Sequence, residues 1–310
     1  MTRAAGLRHL RRRIFTTLTA AGTAVLAVLP EGLALWLGGA LGSVAAFVFR
    51  RRSREALANL QLVFPERSTA ERSGIWRASC AELGRSAVEW ARFPRLSMEA
   101  FRERVEMVGI DHLAKAAAHG RGVLLITAHY GNFEYLPAAV RSWLPGVTLS
   151  VVGRTMPTPG MQAMVERRRV RGGGEVIPQD VRAILRALRG GVMVGLLIDH
   201  YTRERRGGIL VPFLGVRAWT TPGPALLALR TGAPVVPIHI RRLGGARHRI
   251  EIEPELELPR TGDRERDVAT ATALMNEVLG RWMREDPVFW TWSHRRFRHS
   301  PDVPGRESRG

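Results

Sequence analysis

A histidine and a glutamate five residues apart are the pair in this sequence best suited to acid–base chemistry. His129 and Glu134 stand in the segment AHYGNFE, in the pattern H-x-x-x-x-E. On one continuous helix, five residues turn the chain by about 500°, so the two side chains would not face each other. We therefore expect His129 to end a strand, Gly131 to turn the chain, and Glu134 to lie in the first turn of the following helix.

In this arrangement, Glu134 can accept a hydrogen bond from one ring nitrogen of His129. The other ring nitrogen is then a general base toward a substrate hydroxyl, a role that contributes about 10²–10⁴-fold to a rate. The carboxylate would fix the tautomer and stabilise the imidazolium as it forms. No serine or cysteine nucleophile is required. We also expect backbone N–H groups around Gly131 and Asn132 to hold an oxyanion or a phosphate.

Polar residues also follow two further apolar runs that resemble buried strands. Arg154 follows residues 148–152, and Asp199 follows residues 192–198. In parallel sheets, binding and catalytic groups gather beyond the carboxyl ends of the strands, so we expect these side chains to converge with His129. Each also has a structural alternative, because Asp199 can cap the next segment and Arg154 can be an ordinary surface arginine.

From residue 121 onward, short apolar runs alternate with segments of helical pattern. The runs predicted as strands are residues 122–127, 148–152, 175–177, 192–198, 209–214 and 234–240. The segments predicted as helices are residues 161–171, 180–189, 225–230 and 267–284. This order predicts an α/β fold with a mostly parallel central sheet flanked by helices. Residues 249–257 alternate strictly between apolar and polar, which predicts a half-exposed strand at an edge of the sheet.

The remaining histidines and the cysteine do not suggest a metal or a cofactor. The pattern H-E-x-x-H is absent, and His200, His239 and His294 have no spacing typical of a metal site. The single cysteine, Cys80, excludes a disulfide scaffold and a cysteine-rich metal site. It lies in the apolar stripe of a helix that a capping box of Ser68 and Glu71 opens, so we expect a packed thiol.

The N-terminal segment differs from the rest of the chain. Arginines flank an apolar stretch from Ile14 to Phe49 that Pro30 divides into halves, each short for a full membrane span of about 20 residues. Five alternatives are open: one span through Pro30, a shallow hairpin, two interfacial helices, a signal peptide, or a buried hairpin of a soluble core. The arginines on both sides of the apolar stretch favour a location at a membrane, with both flanking segments on the cytoplasmic face. We divide the chain into an anchor at residues 1–54, an α/β domain at residues 55–299 and a polar tail at residues 300–310.

The charge of the chain favours acidic partners. Lys and Arg total 47 against 28 Asp and Glu, a formal net charge of +19 over 310 residues. Anionic lipid, a phosphorylated substrate, nucleic acid and an acidic protein would all suit this balance. No helix-turn-helix, RNP or zinc-finger pattern is evident, and most tryptophans stand in apolar segments, so we expect no nucleic acid partner.

The chain resembles the bacterial lipid A biosynthesis acyltransferases, the lauroyl- and myristoyltransferases, and the related phosphatidylinositol mannoside acyltransferases. The likeness runs from about residue 33 to residue 298, and the H-x-x-x-x-E pair stands without departure at the position of the family's H-x4-D/E motif. The segments that carry it are residues 58–66 (ANLQLVFPE), 128–134 (AHYGNFE), 153–154 (GR), 198–200 (IDH), 211–215 (VPFLG), 220–224 (TTPGP) and 290–297 (WTWSHRRF).

The resemblance implies transfer of an acyl chain from an acyl thioester, typically acyl carrier protein, to a hydroxyl of a membrane glycolipid. It implies His129 as general base with Glu134 as its partner, and Arg154 and Asp199 as site-shaping or substrate-contacting residues. A basic chain matches an acidic carrier and a phosphorylated acceptor lipid. We expect a catalytic domain on the cytoplasmic side of the cell inner membrane.

Several alternatives stay open. The first acceptor is a lipid A precursor, the second is a mannosylated phosphatidylinositol, and the third is another lysolipid. Coenzyme A can replace the carrier protein as the donor. A protein of another class, a non-catalytic basic protein that binds membranes or nucleic acid, remains as the alternative to an enzyme.

Overall fold

A seven-stranded sheet forms the centre of the protein. The computed structural model describes residue 26 and residues 28–153 and 174–303. The strands are β1 (Val105–Val108), β2 (Val123–Thr127), β3 (Leu149–Gly153), β4 (Gly174–Pro178), β5 (Met193–Leu197), β6 (Ile209–Phe213), β7 (Val216–Thr220), β8 (Val235–Gly244) and β9 (Arg247–Ile252). The sheet order is β1-β9-β8-β2-β5-β3-β4, and β6 and β7 form a separate antiparallel hairpin. Neighbours in the sheet are parallel except β8 and β9, which confirms the predicted fold class.

Helices flank the sheet. They are α1 (Glu31–Val48), α2 (Arg50–Val63), α3 (Thr69–Arg92), α4 (Met98–Glu103), α5 (Ile110–Ala118), α6 (Leu136–Trp143), α7 (Val181–Arg189), α8 (Gly223–Thr231) and α9 (Arg264–Glu285). The predicted helix at residues 161–171 lies outside the described residues, as do residues 1–25 and 304–310.

The strand β2 shows why a central strand of this sheet has a continuous apolar sequence. Every residue of β2 is buried. Leu124 and Ile126 pack into the core on one face of the sheet, whereas Val123 and Leu125 pack into the core on the other. Successive side chains of a strand point to opposite faces, so a strand covered on both faces is apolar throughout.

The prediction of an edge strand over residues 249–257 is wrong. Strand β9 ends at Ile252 and lies between β8 and β1. Its alternation arises because His248, Ile250 and Ile252 are buried while the residues between them are half-buried. The outer neighbour β1 pairs with β9 in parallel, and its four residues are too few for a clear pattern in the sequence.

Two close approaches fasten α1 to α3. A Cβ atom on Gly42 would collide with the carbonyl oxygen of Cys80, and one on Gly84 would collide with the carbonyl oxygen of Gly38. These glycines therefore let the two backbones meet, and we call this contact the glycine seam. The opposite side of α1 carries exposed apolar side chains, namely Leu33, Trp36, Leu41, Val44, Phe47 and Val48, with Phe49 directly after it.

The helix α3 begins as the sequence predicts. Ser68 accepts a hydrogen bond from the backbone N–H of Glu71, and the Glu71 side chain accepts one from the backbone of Ser68, which completes the capping box. Cys80 is buried on this helix, and burial raises the pKa of its thiol to about 11. The predicted packed thiol is therefore confirmed.

Candidate active site

The register of two neighbouring strands brings His129 and Asp199 together. Strands β2 and β5 are parallel neighbours, with Thr127 opposite Leu197. His129 and Asp199 each stand two residues beyond those partners, so they leave the same edge of the sheet side by side. The Nδ1 atom of His129 lies 2.9 Å from Oδ1 of Asp199.

Asp199 has no contact with solvent, and three donors hold its carboxylate. Besides the His129 ring, its Oδ2 atom accepts hydrogen bonds from the backbone N–H of His129 at 3.2 Å and from the indole N–H of Trp290 at 2.9 Å. A buried carboxylate is costly unless it is paired in this way. The site therefore contains a fixed negative charge directly behind the histidine.

The two groups shift each other's titration. Burial alone would raise the pKa of Asp199, but the charge of His129 and its hydrogen bond hold that pKa well below its usual range. Burial alone would lower the pKa of His129, but the charge and hydrogen bond of Asp199 outweigh it and raise the pKa above its ordinary value. Asp199 is therefore the ionised partner of a more basic histidine.

The second ring nitrogen of His129 is directed away from Asp199. A carboxylate on Nδ1 fixes the neutral ring with its proton on that atom, which leaves the lone pair on Nε2. The ring is 21% exposed. Its aromatic neighbours are Phe133, His200 and His294, with ring centroids 4.6–5.1 Å away.

Glu134 lies in the single turn Phe133–Tyr135 that leads into α6, as the sequence predicts. Its negative charge also raises the pKa of His129. The sequence predicts Glu134 as the carboxylate that orients the ring of His129. In the structure, the carboxylate hydrogen-bonded to Nδ1 of that ring belongs to Asp199. The catalytic role of Glu134 stays a prediction.

The backbone N–H of Gly131 is used inside the protein, and the expected anion site around Gly131 and Asn132 stays a prediction. Gly131 has a φ of +57°, and a Cβ there would collide with the carbonyl oxygen of Ile240. Its N–H donates to the carbonyl oxygen of Phe289 at 2.9 Å, so this donor is already used. Gly131 therefore shapes the turn after His129, a position that glycine adopts without strain.

The side chain of Asn132 is held from behind by a buried glutamate. Asn132 is 3% exposed, and its Nδ2 atom donates to Glu89 of α3 at 2.9 Å. Glu89 also accepts hydrogen bonds from Arg242 at 2.6 and 2.9 Å and lies 2.9 Å from Nε2 of His248. Burial alone would raise the pKa of Glu89, but the hydrogen bonds and charges of His248 and Arg242 lower it to about 2.

A mainly apolar pocket opens beside the turn that follows the histidine. Phe133, which packs against the His129 ring, and Glu134 both line it. The rest of its wall is mainly aliphatic and includes Leu125, Val140, Val151, Leu196 and Ile238. An apolar wall of this kind suits a hydrocarbon chain.

The prediction that Arg154 converges on the site falls outside the described residues.

The contact of His200 and His294 with His129 does not follow from the sequence. These two residues lie against His129, although they are separated from it by 71 and 165 positions in the chain. For the pairing of Asp199 with His129, the sequence offered one signal, the position of Asp199 directly after a predicted strand. The adjacency of β2 and β5, which brings the two residues together, is known only from the fold.

The fold is α/β, and a buried histidine–carboxylate pair stands beside an apolar pocket at the carboxyl edge of its sheet. The chain matches the bacterial lipid A biosynthesis acyltransferase family over residues 1–299 and belongs to that family. It is therefore an acyltransferase, which confirms the predicted enzyme class over the non-catalytic alternative.

Proteins of similar sequence support the same family. The chain is 29% identical to the lipid A biosynthesis lauroyltransferase of Escherichia coli (strain K12), over 90% of each chain. It is 28% identical to the palmitoleoyltransferase of the same organism, over 88% of this chain and 87% of the relative. It is 30% identical to the phosphatidylinositol mannoside acyltransferase of Mycolicibacterium smegmatis, over 71% of this chain and 72% of the relative. The predicted action on a glycolipid is in line with all three.

Proposed function

We propose that the chain moves a fatty acyl group from an acyl thioester on acyl carrier protein to a hydroxyl of a lipid A precursor. The observation that carries this proposal is the His129–Asp199 pair, 2.9 Å apart, beside the apolar pocket. The names of the E. coli relatives support lipid A as the acceptor.

His129 is the general base of this proposal. The acceptor oxygen attacks the thioester carbonyl carbon while its proton passes to Nε2 of His129. The C–S bond then breaks, and the leaving thiolate takes the proton from the imidazolium. Asp199 stabilises the imidazolium while it exists, and the raised pKa of His129 increases its basicity. Glu134 adds a second negative charge near the ring.

The acyl chain of the donor occupies the apolar pocket in this proposal. Glu134 and Thr127 are the polar residues among its lining, so most of the wall offers only apolar contacts. Burial of methylene groups there contributes about 0.8 kcal/mol for each group. Phe133 joins the pocket to the ring of His129, which brings the thioester end of a bound chain to the base.

The charge and the helix α1 support the proposed partners. A net charge of +19 suits both an acidic carrier protein and a phosphorylated glycolipid. Helix α1 is long and apolar enough to cross a membrane, but a third of it is buried against the protein. Because the glycine seam fixes one side of α1 to α3, we propose that the exposed side lies in the cytoplasmic interface of the inner membrane.

The first test is the mass of lipid A in a membrane-competent host that lacks its own late acyltransferases. Expression of the chain is expected to add one fatty acyl group to the lipid A precursor. His129→Ala is expected to lower this product by about 10²–10⁴-fold, because the base is lost. His119→Ala removes a half-exposed histidine outside the site and serves as the matched control.

The same extract separates the alternatives. The likeness to the M. smegmatis enzyme favours a mannosylated phosphatidylinositol as the second candidate acceptor. An unchanged lipid A in a host that supplies this second lipid, with one acyl group added to the mannoside, would move the acceptor and keep the chemistry. Equal product from His129→Ala and wild type would refute the role of His129.

A further inference from the structure

Three histidine rings from distant parts of the chain meet at the proposed base. His129 follows β2, His200 follows β5, and His294 lies in the C-terminal segment. Their ring centroids are 4.6–4.8 Å apart, and one ring nitrogen from each lies within 4.8 Å of the others. We call these three residues the histidine cluster.

The histidine cluster has the donor set of an open zinc site. Zinc enzymes commonly hold the ion with three protein ligands at about 2.0–2.1 Å and keep a fourth position for water or a substrate. Ideal tetrahedral geometry then places the ligand nitrogens about 3.3 Å apart, which lies within the 4.8 Å that bounds their separation here. His200 is the exposed member of the three, so a small adjustment of its side chain meets little packing resistance.

Two details of the cluster point to a cation. The Nε2 atom of His294 is buried and has no hydrogen-bond partner among the described residues. His129 contacts Asp199 through Nδ1, which leaves its Nε2 as the nitrogen for an ion, and a carboxylate behind a metal-binding histidine is the usual outer support of such sites.

We infer that the histidine cluster binds a divalent transition metal ion of the zinc class, and that the bound ion inhibits acyl transfer. Inhibition follows because the ion takes the lone pair of His129 Nε2, the same lone pair that receives the proton of the acceptor hydroxyl. The second half of this inference rests on the proposed function, whereas the binding of the ion does not.

The binding test uses Co²⁺ as a spectroscopic probe on the full chain in detergent micelles. Wild type is expected to bind one Co²⁺, with the visible absorption bands of a nitrogen-ligated site. His200→Gln removes an exposed ligand and is expected to weaken binding at least about tenfold. His119→Gln changes a histidine outside the cluster and is expected to bind as wild type does. Circular dichroism of all three proteins checks that each is folded.

The inhibition test adds Zn²⁺ to the acyl transfer assay. Zn²⁺ is expected to inhibit wild type and His119→Gln alike, and His200→Gln is expected to need at least about tenfold more Zn²⁺ for the same inhibition.

Binding of equal strength in wild type and His200→Gln, or no saturable binding in wild type, would overturn the metal site. Binding at the cluster without inhibition would overturn the inhibitory role alone. Absence of acyl transfer from every protein, with metal binding intact, would count against the proposed function and leave the site standing.

Discussion

At the scale of single residues, the proposed function depends on the pair of His129 and Asp199. The sequence predicts His129 as a base and places Asp199 after another predicted strand, yet the hydrogen bond between them depends on which strands are adjacent in the sheet. The order β2 next to β5 puts them 2.9 Å apart. Glu134, which is near in sequence, was the more visible partner for that reason. A local sequence pattern predicts that a strand forms, but it does not predict which distant strand lies beside it.

Replacement of Asp199 by Asn tests the pair through its pH dependence. The base must be neutral, so the rate of wild type is lost as the pH falls through the raised pKa of His129. In Asp199→Asn, burial is no longer opposed by this charge, and the pKa of His129 falls. We therefore expect the acid limb of the pH–rate profile to move to lower pH, and the plateau to drop by about 10²–10⁴-fold.

The profile is measured from about pH 5 to 9, where histidine titrates. Asp180→Asn is the matched control, because Asp180 caps α7 with a hydrogen bond to Ala183 and lies outside the site. An acid limb at the same pH in wild type and Asp199→Asn would show that Asp199 does not set the basicity of His129.

At the scale of elements, α3 links the site to the rest of the fold. Its residue Ser79 donates to the carbonyl oxygen of Trp290 at 2.6 Å, and Glu89 holds Asn132 of the active-site turn. The capping box and the apolar stripe predict this helix from the sequence. The buried charges on it do not follow from that pattern, because the partners Arg242 and His248 come from strands far along the chain.

Replacement of Glu89 by Gln is expected to destabilise the fold. The change leaves Arg242, whose side chain is 7% exposed, without its full partner in the interior. Loss of one member of a buried ion pair costs about 3–5 kcal/mol in the free energy of unfolding. Urea unfolding in detergent measures this loss. Glu106→Gln removes a partly exposed partner of Arg249 and is expected to cost about 0–1 kcal/mol.

The deficit of Glu89→Gln has a pH dependence of known sign. Folding lowers the pKa of Glu89 from about 4.3 in the unfolded chain to about 2. The stability that its charge contributes is therefore present above about pH 4.3 and is lost as the pH falls toward 2. A gap between wild type and Glu89→Gln that does not narrow over this range would contradict the assignment of a buried charge.

At the scale of the whole molecule, the apolar side of α1 and the net charge of +19 are the features that support the proposed membrane location. The composition predicts a membrane-facing N-terminus, but five arrangements fit the apolar stretch. For residues 31–48, the glycine seam argues against an isolated membrane-spanning helix, because one side of α1 is packed against α3. Residues that let backbones touch are small and inconspicuous in a sequence, so the seam was not predicted.

Two exposed aromatic residues test the membrane contact. Trp36 and Phe47 are 66% and 68% exposed on α1. Burial of each in the interface contributes about 1.5–3 kcal/mol, so Trp36→Ser with Phe47→Ser is expected to weaken partition into vesicles at least tenfold. Flotation with vesicles of phosphatidylethanolamine and phosphatidylglycerol measures it.

The matched control is Val181→Ser with Leu243→Ser, which changes two exposed apolar residues away from α1. The control is expected to float as wild type does. Equal loss in both variants would indicate general surface hydrophobicity, and no loss in the α1 variant would refute this helix as the contact.

The glycine seam has a consequence for which hydroxyl is acylated. Helix α3 has 24 residues and spans about 36 Å, and it contacts α1 at the seam and the active-site turn at Glu89. In the proposed function α1 lies in the bilayer interface, and this stiff connection then holds His129 at one height above the lipid surface. An acceptor is then selected by how far its hydroxyl projects from the bilayer as well as by its shape. The enzyme would in this way distinguish otherwise similar hydroxyls on one lipid by their depth.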